Sequence, residues 1–164
     1  MKEECGDRAA SPGNTTYYVD PAGGSDAHPG TEASRAWRTF APVNRLALAP
    51  GDRVEIVSPG AFHETLALAG AGTAAAPVTV RFAPGRYDIH PDGATRRTYN
   101  ISNTNDGVGI PKAIALLFDR ARHVRVAGPG AELVLRGKMI EICVDTSEDV
   151  TVSGLAFDYQ RPTV

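Results

Sequence analysis

The chain is short of cysteine, of aromatic residues, of long apolar runs and of net charge, and each shortage removes a class of protein. Two cysteines in 164 residues exclude a scaffold stapled by several disulfides. Cys5 stands in a polar opening and Cys143 inside a strand pattern, with no spacing that argues for pairing them. Seventeen basic against 19 acidic residues give a net charge of −2, which excludes the strongly basic face of a nucleic-acid binder. The local basic clusters, Arg96–Arg97 and Arg120, Arg122 and Arg125, read as solvated charges on turns and strand faces. No apolar run approaches the roughly 20 residues that span a bilayer. The opening MKEECGDR has no apolar stretch of the kind a secretion leader carries.

What the chain does have is glycine and proline, 17 and 12 of them, so turns are frequent and long helices disfavoured. Residues 1–15 are polar and unpatterned and read as a flexible tail. From residue 16 a single domain follows. A short β-prone run, Tyr17 to Val19, leads into a turn-rich segment, and then comes one candidate helix. Trp37, Phe40, Val43, Leu46 and Leu48 approximate an apolar stripe of period 3.6 over residues 34–48, stopped by Pro50-Gly51. Beyond Asp52 the pattern is β: residues 54–57 and 78–82 alternate, and 65–68 form a weaker candidate. Residues 83–111 are a long polar excursion, too long for an idle loop.

The strongest signal is an echo. AIALLFDRARHVRVAG (113–128) returns as MIEICVDTSEDVTVSG (139–154), without a gap and at a step of 26 residues. Asp119 maps onto Asp145, Val124 onto Val150, Val126 onto Val152 and Gly128 onto Gly154. A period in the twenties, built of short alternating strands, is the mark of a stacked β-coil. The chain is therefore expected to be all-β, a right-handed parallel β-helix of the pectate-lyase-like solenoid kind, with the 34–48 helix capping its N-terminal end. Ile114 over Ile140, Leu116 over Ile142 and Phe118 over Val144 should form inward columns, with Cys143 over Leu117. Val164 follows the second unit by ten residues, and the coil is expected to be incomplete at its C-terminal end.

Two pieces, YNISNTND (99–106) and FDYQRP (157–162), do not follow from coil grammar. With the flanking sequence from Tyr17 onward, they resemble the glycoside hydrolase family 110 α-1,3-galactosidases. That resemblance implies an inverting, metal-independent exo-enzyme that releases terminal α-linked galactose from glycans. It also implies an extracellular or periplasmic setting, with no cofactor, nucleic acid or membrane as partner. Inversion needs two carboxyl groups roughly 6.5–9.5 Å apart. No residue of this chain matches the family's catalytic aspartates, which are expected downstream, so the chain alone should be inactive.

Within the chain, Asp158, Tyr159 and Arg161 follow the last repeat strand. They are the candidate sugar-binding residues, a carboxylate and a guanidinium for hydroxyls and a ring for a sugar face. The simpler reading makes Asp158 and Arg161 a local pair that holds a turn in shape, and it outweighs the sugar-binding one; for Tyr159 a flanking packing role stands level with the platform. Asp119 and Asp145, one coil apart, read as solvent-exposed turn caps. Asp20, Ser25 and Asp26 lack the spacing of a calcium loop. The histidines, His28, His63, His90 and His123, share no metal-ligand spacing, so no metal site is expected. Two other readings remain open on the residues alone: a calcium-dependent polysaccharide lyase on the same scaffold, and a non-catalytic β-helix glycan-binding module.

Overall fold

The structure is a computed structural model and describes residues 7–99 and 109–160. Strand β1 (Ala9–Ala10) and β2 (Thr16–Val19) come first, followed by a 3₁₀ turn at Ala33–Arg35 and a single helical turn, α1 (Ala41–Asn44). Then come β3 (Leu46–Ala47), β4 (Arg53–Ile56), β5 (Ala61–Phe62) and β6 (Leu66–Ala71). The series continues with β7 (Val78–Phe82), β8 (Gly85–Ile89) and β9 (Arg96–Arg97). It ends with the long β10 (Lys112–Leu135), β11 (Met139–Asp145) and β12 (Glu148–Tyr159).

All these strands pair in parallel except β9, which runs antiparallel to the start of β10. The result is a curled, predominantly parallel sheet. Its organiser is β10, which bends twice and so has three arms. The first lies on β6 (Leu116 opposite Leu66), the second on β7 (Val124 opposite Val78) and the third on β8 (Leu133 opposite Tyr87). On its other side β11 takes the first arm, and β12 the second and third.

The 26-residue echo is thus the register itself: Ile114 pairs with Ile140, Leu116 with Ile142 and Asp119 with Asp145. The corners repeat as well. Arg120 and Thr146, then His123 and Asp149, all take left-handed backbone at φ near 50° (53°, 50°, 51° and 52°). Each such non-glycine residue costs roughly 1–2 kcal/mol, so the corners persist because the columns between them hold the chain.

Those columns form the core. Tyr17, Val54, Val80, Val126 and Val152 succeed one another through four registered pairs, and Tyr87, Leu133 and Phe157 through two. One expected column splits. Leu116 and Phe118 face the main core, whereas Ile114 packs with Ala67, Leu117, Ile140, Cys143 and Tyr99 in a separate cluster on the sheet's other face. Ala115 and Leu116 both face the main core, so strict alternation breaks between them. Cys143 lies over Leu117 as expected.

The helix expected over 34–48 does not form. Ala36 is extended (ψ 154°) and Trp37 bridges to Val19 as a strand residue. Only one turn, with Pro42 inside it, is helical. The apolar residues are claimed separately by strand ends. Trp37 stacks on Tyr17, Phe40 lies flat on Phe62 at 3.8 Å, and Leu46 pairs with Ala9. A spacing near 3.6 arose from contacts with different strands.

Two further expectations change. From residue 7 the opening segment is not loose. β1 pairs with β3, Arg8 donates to the carbonyl of Ala67, and Ser11 shares a 2.7 Å hydrogen bond with Tyr17. The polar excursion begins with a core strand, β8, whose Tyr87 and Ile89 are buried.

Candidate functional site

The expected sugar-binding residues end on opposite faces. Asp158 extends the outer column that runs through Asp88 and Val134. Below it, Arg136 grips Asp88 through two hydrogen bonds of 2.6 and 2.9 Å, and Arg86 lies within 4.0 Å of Glu132. This outer wall is a strip of exposed and half-exposed carboxylates and guanidiniums, able to meet hydroxyl groups. Asp158 is exposed and caps the Tyr159 amide at 2.8 Å.

Tyr159, one residue on, points inward. Its ring packs on the main core, and its hydroxyl donates to Glu141 at 2.5 Å and lies 3.2 Å from the Met139 carbonyl. Burial, reinforced by the Glu141 carboxylate, pushes the phenol well above its ordinary value, so it acts as a neutral donor. It does not present an exposed platform on the outer face. Arg161 lies outside the described residues.

Of the stacked acids expected to be solvent-exposed, Asp145 is half-exposed and Asp119 is buried. Arg97 reaches both, donating to Asp119 at 2.8 Å and to Asp145 at 2.9 Å, while Tyr99 donates to Asp145 at 2.8 Å. The Tyr99 and Thr146 hydrogen bonds, with Arg97 beside them, hold the Asp145 carboxyl below its ordinary value against a smaller effect of burial. Two carboxylates sharing one guanidinium are both committed to that guanidinium. They clamp the segment carrying β9 onto the sheet and offer neither a free acid nor a free base.

The turn acids are committed in the same way. Asp20 accepts from Ser58 at 2.5 Å and from the Ala22 amide, and Asp26 accepts from the amides of Arg38 and Thr39. Among the described residues, one grouping escaped the sequence reading altogether. His63 and His90 stack ring on ring at 4.3 Å, with Asp92 beside them. The signal that finds them is the register of β5 on β8. Ala61 lies opposite Asp88 and Phe62 opposite Ile89, so the next pair is His63 and His90. Two-residue strands are invisible to pattern reading.

Comparison with known proteins gives first a class of scaffold and then a group of relatives. The fold is shared with two crystal structures of the GH136 lacto-N-biosidase from Eubacterium ramulus. The selenomethionine form matches with a TM-score of 0.58 at 20% identity, over 90% of this chain and 35% of that one. The native form gives a TM-score of 0.60 at 18% identity, over 88% of this chain and 34% of that one. No family model matches the chain.

Curated relatives do. Alpha-1,3-galactosidase A of Akkermansia muciniphila is 42% identical over 160 residues, which is 96% of this chain and 27% of that protein. Alpha-1,3-galactosidase A of Bacteroides fragilis is 38% identical over 81 residues, 48% of this chain and 13% of that protein. Alpha-1,3-galactosidase B of Phocaeicola vulgatus is 33% identical over 87 residues, 53% and 14% respectively. By sequence the chain is a homologue of the α-1,3-galactosidases, and it spans about a quarter of the length of the Akkermansia relative. No helix among the described residues is long and apolar enough to cross a membrane.

Proposed function

We propose that the chain is the N-terminal scaffold portion of an inverting exo-glycoside hydrolase that releases terminal α-1,3-linked galactose from glycans outside the cytoplasm. Its stacked circuits are then the first turns of a right-handed parallel β-helix. The supporting observation is identity of 42% sustained over 96% of the chain. The arrangement of acids agrees with this division of labour. An inverting pair must stand roughly 6.5–9.5 Å apart with room for a water between. Asp119, Asp145, Asp20 and Asp26 are all held by neighbouring donors. In this reading the acid and base come from the remainder of the enzyme. Asp158 on the outer wall meets sugar hydroxyls on the way to them, and Arg161 binds the same sugar.

A chimera tests the proposal. The matched segment of the Akkermansia galactosidase is replaced by this chain, and galactose release from a glycan ending in α-1,3-galactose is measured. Activity should stay within about tenfold of the parent, roughly 1.4 kcal/mol in the barrier, while the 164-residue chain alone releases none. Calcium-dependent unsaturated products from a longer protein that begins with this chain would instead assign a lyase. Glycan binding without cleavage by that longer protein would assign a binding module. Either result overturns the proposal.

A further inference from the structure

We propose that His63, His90 and Asp92 form a binding site for a divalent transition-metal ion of borderline softness, zinc in the first instance. The ladder builds the site. β5 and β8 are parallel and in register up to Phe62 opposite Ile89, and the His90 amide donates to the Phe62 carbonyl at 2.9 Å. The side chains that follow on each strand therefore emerge side by side, and the imidazole rings lie 4.3 Å apart, tilted by only 6°.

Asp92 completes the set two residues later, with both carboxylate oxygens 3.0 Å from His63 Nδ1. One ligand atom from each of the three lies within 4.8 Å of the others. Ligands at about 2.0–2.2 Å from a common ion lie at most roughly 4.4 Å apart. Small rotations of exposed side chains therefore bring the three together.

The loop carrying Asp92 is held to this place from several directions. A Cβ on Gly93 would collide with the His63 carbonyl oxygen, so only glycine lets the loop approach so closely. On the other side Pro91 lies against Gly137, where an added Cβ would come within 2.8 Å of the ring. Arg96 donates to the Pro91 carbonyl at 3.1 Å, and the Ala94 amide turns back to the same oxygen at 3.3 Å. Such bracing is out of proportion to an exposed His–Asp pair, which contributes little to stability.

Chemistry selects the ion. Two imidazoles and one carboxylate suit zinc, nickel or copper, whereas calcium and magnesium require oxygen ligands. His63 and Asp92 are exposed and His90 is half-buried, so water fills the remaining coordination positions. Glu64 accepts from the His63 amide at 3.1 Å and adds negative charge to the approach, whereas Arg96 is the nearby cation.

Calorimetric titration of the chain with zinc chloride is expected to show one saturable site, and the melting temperature should rise with zinc. His90→Ala and Asp92→Asn should each weaken binding more than about tenfold, since loss of a mere supporting group around a metal already costs 10–100-fold. His123→Ala, a control outside the site that is paired instead with Asp149, should leave the zinc affinity unchanged. Cobalt(II) should give visible bands of nitrogen and oxygen ligation without a thiolate charge-transfer band. Absence of saturable zinc binding, equal affinity in the variants, or a thiolate band that survives His90→Ala would overturn the proposal. Because His63 and Asp92 are exposed and His90 is only half-buried, the variants should fold, which an unchanged far-ultraviolet dichroism spectrum checks.

Discussion

Asp119 carries its carboxylate with only 5% of the side chain exposed, and the compensating charge comes from Arg97, a residue 22 positions earlier on β9. Removing Arg97 leaves that covered acid with only the exposed Arg120 guanidinium, 3.4 Å away, as a partner. The loss is roughly 1–3 kcal/mol for a buried acceptor stripped of its main donor. Arg97→Ala should therefore lower the melting temperature sharply. Arg97→Ala combined with Asp119→Ala should recover part of the loss, because the stranded charge is gone. Equal melting temperatures for the single and double variants would refute the latch.

The same latch makes a prediction about acid. Hydrogen bonds from Tyr99 and Thr146, and the charge of Arg97, hold the Asp145 carboxyl below its ordinary value. A group whose pKa is lower folded than unfolded stabilises the fold fully above its unfolded pKa, about 3.9. That contribution disappears as the pH falls through the folded value. Melting temperature should be flat from neutral pH down to about pH 5 and fall below pH 4. Asp145→Asn should flatten part of that fall, leaving the part due to Asp20, Asp26, Asp92 and Asp149, which are lowered by the same kind of donor. An unchanged acid limb in the variant would remove Asp145 from the account.

At the scale of elements, the stack is stabilised by columns rather than by single strands. Leu133 is fully buried between Tyr87 and Phe157 in its column. Leu133→Ala deletes volume from the middle layer, where neither neighbour can collapse freely, and should cost about 2–5 kcal/mol, read as a shift of the urea midpoint. Gly70 tests a different constraint. It has φ +120° and pairs with Leu48, and a Cβ there would collide with the Leu48 backbone. Gly70→Ala should cost about 1–3 kcal/mol for overpacking and roughly 1 kcal/mol for the backbone.

These elements also show what was legible in the sequence. The step of 26 residues is a property of every repeat position, so it appeared in the string and reappeared as register. The helix at 34–48 misled because its period came from Trp37, Phe40 and Leu46 being taken by three different strands, and period carries no information about partners. The Arg97 latch and the His63–His90 pair were hidden for a related reason. Each joins residues whose proximity depends on how far β9 folds back and how β5 sits on β8. The sequence reading set Asp158 and Tyr159 after the last strand, whereas both lie within β12. The inward turn of Tyr159 depends on its reach to Glu141, a contact 18 residues away.

For the molecule as a whole, the decisive feature is the rim made by β11 and β12. Among the described residues, both pair with β10 and with no other strand. Val144 is 53% exposed at that rim, and Ile142, Val150, Val152, Leu155 and Phe157 are only partly covered. An edge with free backbone donors and acceptors above apolar side chains is a template for pairing with another chain. The 164-residue protein should therefore self-associate, with a sedimentation coefficient that rises with concentration. Val144→Lys places a charge on the exposed rim and should reduce that association without a large loss of stability. In the galactosidase chimera the same substitution should behave oppositely. If a further circuit covers the rim there, the lysine is buried in the stack and the melting temperature falls. A V144K chimera that melts with its parent would mean that the rim stays open in the longer enzyme, and that the circuits described here do not continue into its catalytic part.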